Sequence, residues 1–143
     1  MFIGEYKHSI DSKGRMAVPA KFRAQLKGGA VVTRGFDNCL FLYPKESWQK
    51  VAEKIAKLPV GQSKARALAR LMLAGAMDVS FDSQGRIILP DYLRRFAGLG
   101  KKAVVAGLYD RLEIWAEANW QKYKNKAEQN SDEIAEALSE LGV

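Results

Sequence analysis

The sequence predicts a β-rich α+β domain made of two copies of one unit, packed about a pseudo-twofold axis. Three observations predict it. The stretch Asp11-Ser12-Lys13-Gly14-Arg15 recurs as Asp82-Ser83-Gln84-Gly85-Arg86, 71 residues on in a chain of 143. Each copy leads into a short apolar run closed by proline, Met16-Ala17-Val18-Pro19 and Ile87-Ile88-Leu89-Pro90. Self-similarity at a fixed spacing marks a repeated architecture. Around each copy, short β-prone runs alternate with turn residues and helix-period stretches, so the order β-turn-β-α-β-turn-β-α occurs twice.

Taken in order, residues 2–10 alternate loosely, with Phe2, Tyr6 and Ile10 inward, and read as a strand. A turn at Ser12–Gly14 leads to a second strand from Arg15 to Val18. Pro19 suits the first turn of a helix, where its missing N–H costs little. Phe22 and Leu26 lie one turn apart on that helix, and Gly28-Gly29 ends it. Ala30–Thr33 and Leu40–Tyr43 read as strands around a Gly35–Asn38 turn, and Pro44 opens a helix carrying Trp48, Val51, Ala52, Ile55 and Leu58 at helical spacing. Pro59-Val60-Gly61-Gln62 breaks the pattern and joins the halves. Ser63 is a candidate cap for a helix running to about Ala74, with Leu68, Leu71 and Met72 on one side. The second half repeats the first: Val79 and Phe81 precede the turn, Leu93 and Ala97 stand for Phe22 and Leu26, Val104-Val105 for Val31-Val32, and Trp120 for Trp48. Finally, Ile134, Leu138 and Leu141 fall at i, i+4, i+7 in a tail. The division is 1–58 for the first repeat, 59–75 for a linker helix, 76–129 for the second repeat and 130–143 for an acidic tail.

Hydrophobic residues make up 48% of the chain and charged ones 27%, which places it among folded globular proteins rather than disordered ones. The single cysteine, Cys39, and the single histidine, His8, leave no internal disulfide and no zinc ligand set. The first residues, Met1 to Lys7, lack the basic leader and long apolar core of a signal peptide, and Ala65–Ala76 is too short and too charged to span a bilayer. The expectation is an intracellular protein with no membrane partner, no cofactor and no small-molecule substrate.

The net charge of +7 is unevenly placed. Residues 1–36 hold seven Lys/Arg against two acids, and residues 60–102 hold eight against three, so each repeated turn sits in a block of net +5. Two basic blocks on the repeats favour a polyanionic partner, nucleic acid above all. Within the motif, Asp11, Ser12 and Gly14, with Asp82, Ser83 and Gly85, are ordinary loop-shaping residues: Asp and Ser bond nearby backbone N–H groups and Gly permits positive φ. That does not account for an Arg at the same place in both copies. Arg15 and Arg86 offer the rigid fork that suits guanine edges and phosphates, and an Asp four residues earlier can aim it. Lys13, Lys21 and Arg23 add positive charge beside the first turn.

At these residues the chain resembles the MraZ family of bacterial transcription regulators. Both turns look like the family's DxxxR signature. Pro19-Ala20-Lys21-Phe22-Arg23, Leu40-Phe41-Leu42-Tyr43-Pro44, Ala97-Gly98-Leu99 and Glu113-Ile114-Trp115 are also similar to family segments. The resemblance implies two AbrB/SpoVT-like swapped-hairpin repeats forming a pseudo-twofold, double-barrel-like domain with flanking helices. It further implies a ring of roughly eight or more subunits that binds short repeated boxes of double-stranded DNA upstream of its own gene, in the promoter of the division and cell-wall cluster, and represses or otherwise controls it, as a nucleoid-associated cytoplasmic regulator. Arg15 and Arg86 match the DNA-contacting Arg. Gln84 stands where the first copy has Lys13, which predicts a weaker second contact.

Two other classes compete. An enzyme would need a nucleophile, an acid–base pair or a metal set, and lone His8, lone Cys39 and glycines 28, 29 and 35 supply none of these, nor a phosphate loop. A protein-interaction or antitoxin-like module of the same fold stays open, because fold alone does not decide function. Lys64, Arg66 and Arg70 read as a solvated face. RNA lacks an exposed aromatic platform, since Trp48, Trp115 and Trp120 read as buried.

Overall fold

The structure is a computed structural model describing all residues from Met1 to Val143. Strand β1 (Phe2–Ser9) and strand β2 (Arg15–Ala17) flank the first turn. Pro19 immediately precedes the short helix α1 (Ala20–Arg23), which tightens into a 3₁₀ turn at Ala24–Leu26. Strands β3 (Ala30–Arg34) and β4 (Leu40–Pro44) form a hairpin, and α2 (Lys45–Ala56) follows Pro44 directly. The linker carries α3 (Ser63–Ala69), extended by a π turn at Arg70–Ala74. The second half then gives β5 (Met77–Val79), β6 (Arg86–Ile88), α4 (Asp91–Phe96), β7 (Lys102–Tyr109), β8 (Leu112–Ala116) and α5 (Glu117–Gln129). A last helix, α6 (Ser131–Ala137), and a 3₁₀ turn at Ser139–Leu141 close the chain.

The expected pseudo-symmetry is visible in the strand pairing. The main sheet is antiparallel with order β1-β7-β8-β4-β3-β5, which exchanging the halves turns into itself. Each half donates its first strand to the other: β1 pairs with β7 from Phe2↔Tyr109 to Ser9↔Lys102, and β5 pairs with β3. The axis passes between β4 and β8, at Phe41↔Glu113. It passes also through a separate two-stranded ribbon of β2 and β6, at Met16↔Ile87. These pairings leave β1 and β5 as free edges of an open sheet.

The core is shared rather than divided. One cluster of 18 buried residues takes Phe22 and Leu26 from the first half and Leu93 and Ala97 from the second, with Met16 and Ile87 closing it beneath the ribbon. Each fully buried side chain of this size stabilises the fold by about 1.5–3 kcal/mol. On the opposite face of the sheet a smaller cluster gathers Cys39, Phe41, Tyr43, Ile55, Met72 and Trp115. Buried Glu113 is satisfied there, accepting from Trp115 Nε1 at 3.1 Å and Arg111 Nη2 at 3.0 Å.

Three local expectations change. Gln62, not Ser63, precedes α3, and no side chain caps it. Leu71 is 48% exposed instead of packing with Leu68 and Met72. The π turn explains this: its extra residue per turn rotates Leu71 off the apolar side. Of the three tryptophans only Trp115 is buried; Trp48 and Trp120 are half-buried, and Trp120 Nε1 donates to Glu5 at 2.9 Å.

Met16 sits on the axis with no exposed surface. Met16→Ala is expected to destabilise the fold by about 2–5 kcal/mol, read from the midpoint of denaturant unfolding.

Candidate nucleic-acid interface

Both repeated turns are built the same way. In the first, Asp11 N donates to the Arg15 carbonyl and Gly14 N to the Asp11 carbonyl, each at 3.0 Å. The Asp11 carboxylate then accepts three more bonds: Oδ1 from Lys13 N (3.0 Å) and Arg15 N (2.9 Å), Oδ2 from Arg15 Nε (2.6 Å). In the second turn Asp82 accepts from Gln84 N (2.8 Å), Arg86 N (2.9 Å) and Arg86 Nε (2.9 Å). One aspartate therefore shapes the loop and aims the arginine together. Gly14 and Gly85 take positive φ of 83° and 74° at the tips. Ser12 and Ser83 are exposed, and their hydroxyls bond nothing in the chain.

The ribbon fixes where the arginines point. Arg15 pairs with Ile88, Met16 with Ile87 and Ala17 with Arg86. Side chains alternate along a strand, so buried Met16 and Ile87 direct Arg15, Ala17, Arg86 and Ile88 to the opposite, outer face. Arg15 and Arg86 are diagonal neighbours there, on the order of 7–8 Å apart at the backbone. Their side chains keep 32% and 27% of their surface exposed. Because the aspartates take only Nε, the two Nη groups of each fork stay available.

The other basic residues divide by role. Arg23 Nε donates to the Val18 carbonyl (2.9 Å), and Arg94, its counterpart, does the same to Leu89 (3.0 Å). Each crosses to the opposite repeat. A β-carbon placed on Gly85 would lie 2.5 Å from Arg23 Cζ, and one on Gly14 would lie 2.8 Å from Arg94 Nε and 2.7 Å from the Leu89 carbonyl. Arg23 and Arg94 thus brace the turns, a role the sequence did not disclose because the contact joins different halves. Lys13 is exposed at the first tip. Lys21 lies farther back, its Nζ 5.0 Å from the Tyr6 ring and 5.2 Å from the Phe22 ring.

The electrostatics follow these bonds. The Arg15 backbone N–H, then the Arg15 side chain and the Lys13 N–H, hold the Asp11 carboxyl below its usual range, and Arg86 and Gln84 do so for Asp82. Both carboxylates stay ionised wherever the arginines must be held. Elsewhere, burial pushes the Cys39 thiol far up, which disarms it as a nucleophile. Burial and the Arg23 charge lower His8. No group of three or more His, Cys, Asp or Glu is arranged to hold a metal ion, and no helix is long and apolar enough to cross a membrane.

Comparison with known proteins agrees with the duplication. The family model described as "MraZ protein, putative antitoxin-like" matches twice, at residues 1–71 and 72–141. The chain is 46% identical over 143 residues to a protein of Halothermothrix orenii and 48% identical over 143 residues to one of Pediococcus pentosaceus, covering 100% of both chains in each case. It is 47% identical over 141 residues to one of Roseiflexus castenholzii, covering 99% of each. All three are named "Transcriptional regulator MraZ".

Two outcomes are expected of the turns. A depressed native carboxyl contributes stability that is present above its unfolded value of about pH 4 and lost as pH falls through the lower native value. The double variant Asp11→Asn, Asp82→Asn should therefore lose less stability than the parent between about pH 5 and pH 2, measured by denaturant unfolding across pH. Gly14→Ala should cost more stability than Gly85→Ala, because its new methyl meets a fixed carbonyl while the other meets the movable end of Arg23. Thermal melts of the two variants compare them.

Proposed function

The chain belongs to the MraZ family, and we propose on that premise that it is a DNA-binding transcriptional regulator whose reading head is the β2/β6 ribbon. One observation carries this reading: two arginines, each held at Nε by its own aspartate, stand side by side on the outer face of a two-stranded antiparallel ribbon. A ribbon of this kind fits the major groove, and the free Nη pair of each Arg suits guanine O6/N7 or a phosphate. Exposed Ile88, 59% accessible, lies directly opposite Arg15 and two residues along the strand from Arg86, as an apolar contact for a thymine methyl. Lys13 at the first tip adds a phosphate contact that Gln84 cannot. Lys21 and Arg23 contribute positive charge around the first turn, with Arg23 acting chiefly through the loop it braces.

The target in this reading is short repeated boxes upstream of the chain's own gene, in the promoter of the division and cell-wall cluster, where binding represses or otherwise controls transcription. A ring of about eight copies would present one ribbon per subunit to successive boxes and convert a weak single contact into avid binding. Such a protein works in the cytoplasm, on the nucleoid. The repeats at 1–58 and 76–129 supply the ribbon jointly, with 59–75 as linker and 130–143 as tail. No catalytic step is part of this reading.

The test is binding to the chain's own upstream DNA. Affinity should fall by about 0.9 log units per log unit of salt for each phosphate contact. Arg15→Ala should abolish specific binding with the oligomer intact by gel filtration, and Arg86→Ala should weaken it less. Affinity that is flat with salt overturns the DNA reading.

A further inference from the structure

The two halves of the sheet's outer face differ in what covers them. Over the first half lies the linker: Met72 packs with Phe41 and Tyr43, Thr33 Oγ1 donates to the Met72 carbonyl (2.7 Å) and Arg34 Nη1 to that of Leu71 (3.1 Å). The pseudo-twofold carries Tyr43, Trp48 and Val51 to Trp115, Trp120 and Tyr123, at an offset of 72. Here the matching seat is open. It is a groove of about 540 Å³ lined by Phe36, Leu108, Arg111, Trp115, Trp120 and Tyr123 among others. Phe36 is 57% and Leu108 37% exposed. The groove is continuous with the linker's seat, since Phe41 and Trp115 border both.

A linker between two repeats occurs once, yet the chain holds a second copy of its sequence. Ala65-Arg66-Ala67-Leu68-Ala69-Arg70-Leu71 aligns with Ala135-Glu136-Ala137-Leu138-Ser139-Glu140-Leu141 at an offset of 70. The alanine and leucine spacing is kept, and both arginines have become glutamates. This second copy is α6 and the turn after it, exposed along its whole length, with Ile134 and Leu138 45% and Leu141 76% accessible.

The tail does not reach its own groove. The linker folds back through the connector Lys57–Gln62, whereas Asn130 alone separates α5 from α6, and helical bonding resumes at once with Ile134 N donating to the Asn130 carbonyl (3.0 Å). Net charge favours contact between a tail and a chain body, since residues 1–126 hold all 23 Lys/Arg and 11 of the 16 acids, a net of +12, against −5 for residues 127–143. The groove itself carries Glu5, Asp37 and Glu113 against Arg111, so apolar fit rather than local charge selects this seat.

We propose that the tail of a second copy, Ser131–Val143, seats its Ile134, Leu138 and Leu141 side in this groove, as the linker helix seats on the first half. Leu138 takes the part that Leu68 plays within the chain. Donor and acceptor surfaces differ, so the contact is heterologous and repeats head to tail, closing into a ring when the rotation closes. It gives the assembly proposed above a surface and rests on no DNA contact.

Cross-linking of full-length chains without DNA tests it. Leu138→Cys and Leu108→Cys variants of different mass are mixed and treated with a short bis-maleimide; buried Cys39 stays unreactive. The expected product is a mixed pair joined between the two new cysteines, and in the Leu138→Cys, Leu108→Cys double variant a ladder of joined chains. A loop closed within one chain, or no cross-link, overturns the proposal. In a second arm, full-length Leu138→Glu should sediment as a smaller species whose circular dichroism at low temperature matches the parent's. Sedimentation identical to the parent also overturns it.

Discussion

Everything at the proposed reading head, the ribbon that carries Arg15 and Arg86, depends on one pairing, Met16 against Ile87 on the pseudo-twofold axis. The ribbon is only three residues per strand. It owes its place to the burial of those two side chains in the common core rather than to its own hydrogen bonds, since an isolated two-stranded ribbon is marginal in water. Burying the inner pair sends both arginines outward, and the antiparallel register sets them side by side. Neither half could do this alone. The reading head is a property of the duplication.

The bracing is reciprocal for the same reason. Arg23 of the first half closes over Gly85 of the second, and Arg94 closes over Gly14. Each also ties itself to a carbonyl five residues back, at Val18 or Leu89. The turns are thus held from three sides: by their own aspartate, by their glycine and by the partner half's arginine. Fixing a guanidinium before it meets DNA lowers the ordering cost of the contact. The far face of the sheet shows the opposite tendency. There the halves differ because a linker covers one and not the other, the inequality on which the proposed head-to-tail contact rests.

Much of this was legible in the residues. The 71-residue recurrence, the prolines that open helices and the turn residues located most elements and the loop that carries Arg15 and Arg86. The aspartate's hold on the arginine was legible too, because both lie within five residues. What stayed hidden is long-range. The exchange of β1 and β5 between halves came through only as part of the family resemblance, since period-two alternation tells that a strand exists but not which strand it joins. Arg23's approach to Gly85 stayed hidden because it joins residues of different halves and is set by tertiary packing. Leu71 looked buried because helical spacing cannot anticipate a π turn.

In the proposed function the two forks, and not merely their charges, read DNA. The double variant Arg15→Lys, Arg86→Lys keeps both positive charges and removes both forks. Its affinity for the chain's own upstream DNA, compared with its affinity for unrelated DNA at the same salt, isolates the difference. A loss of about 10- to 100-fold per arginine is expected on the upstream fragment, with little change on unrelated DNA. Undiminished preference for the upstream fragment would contradict it.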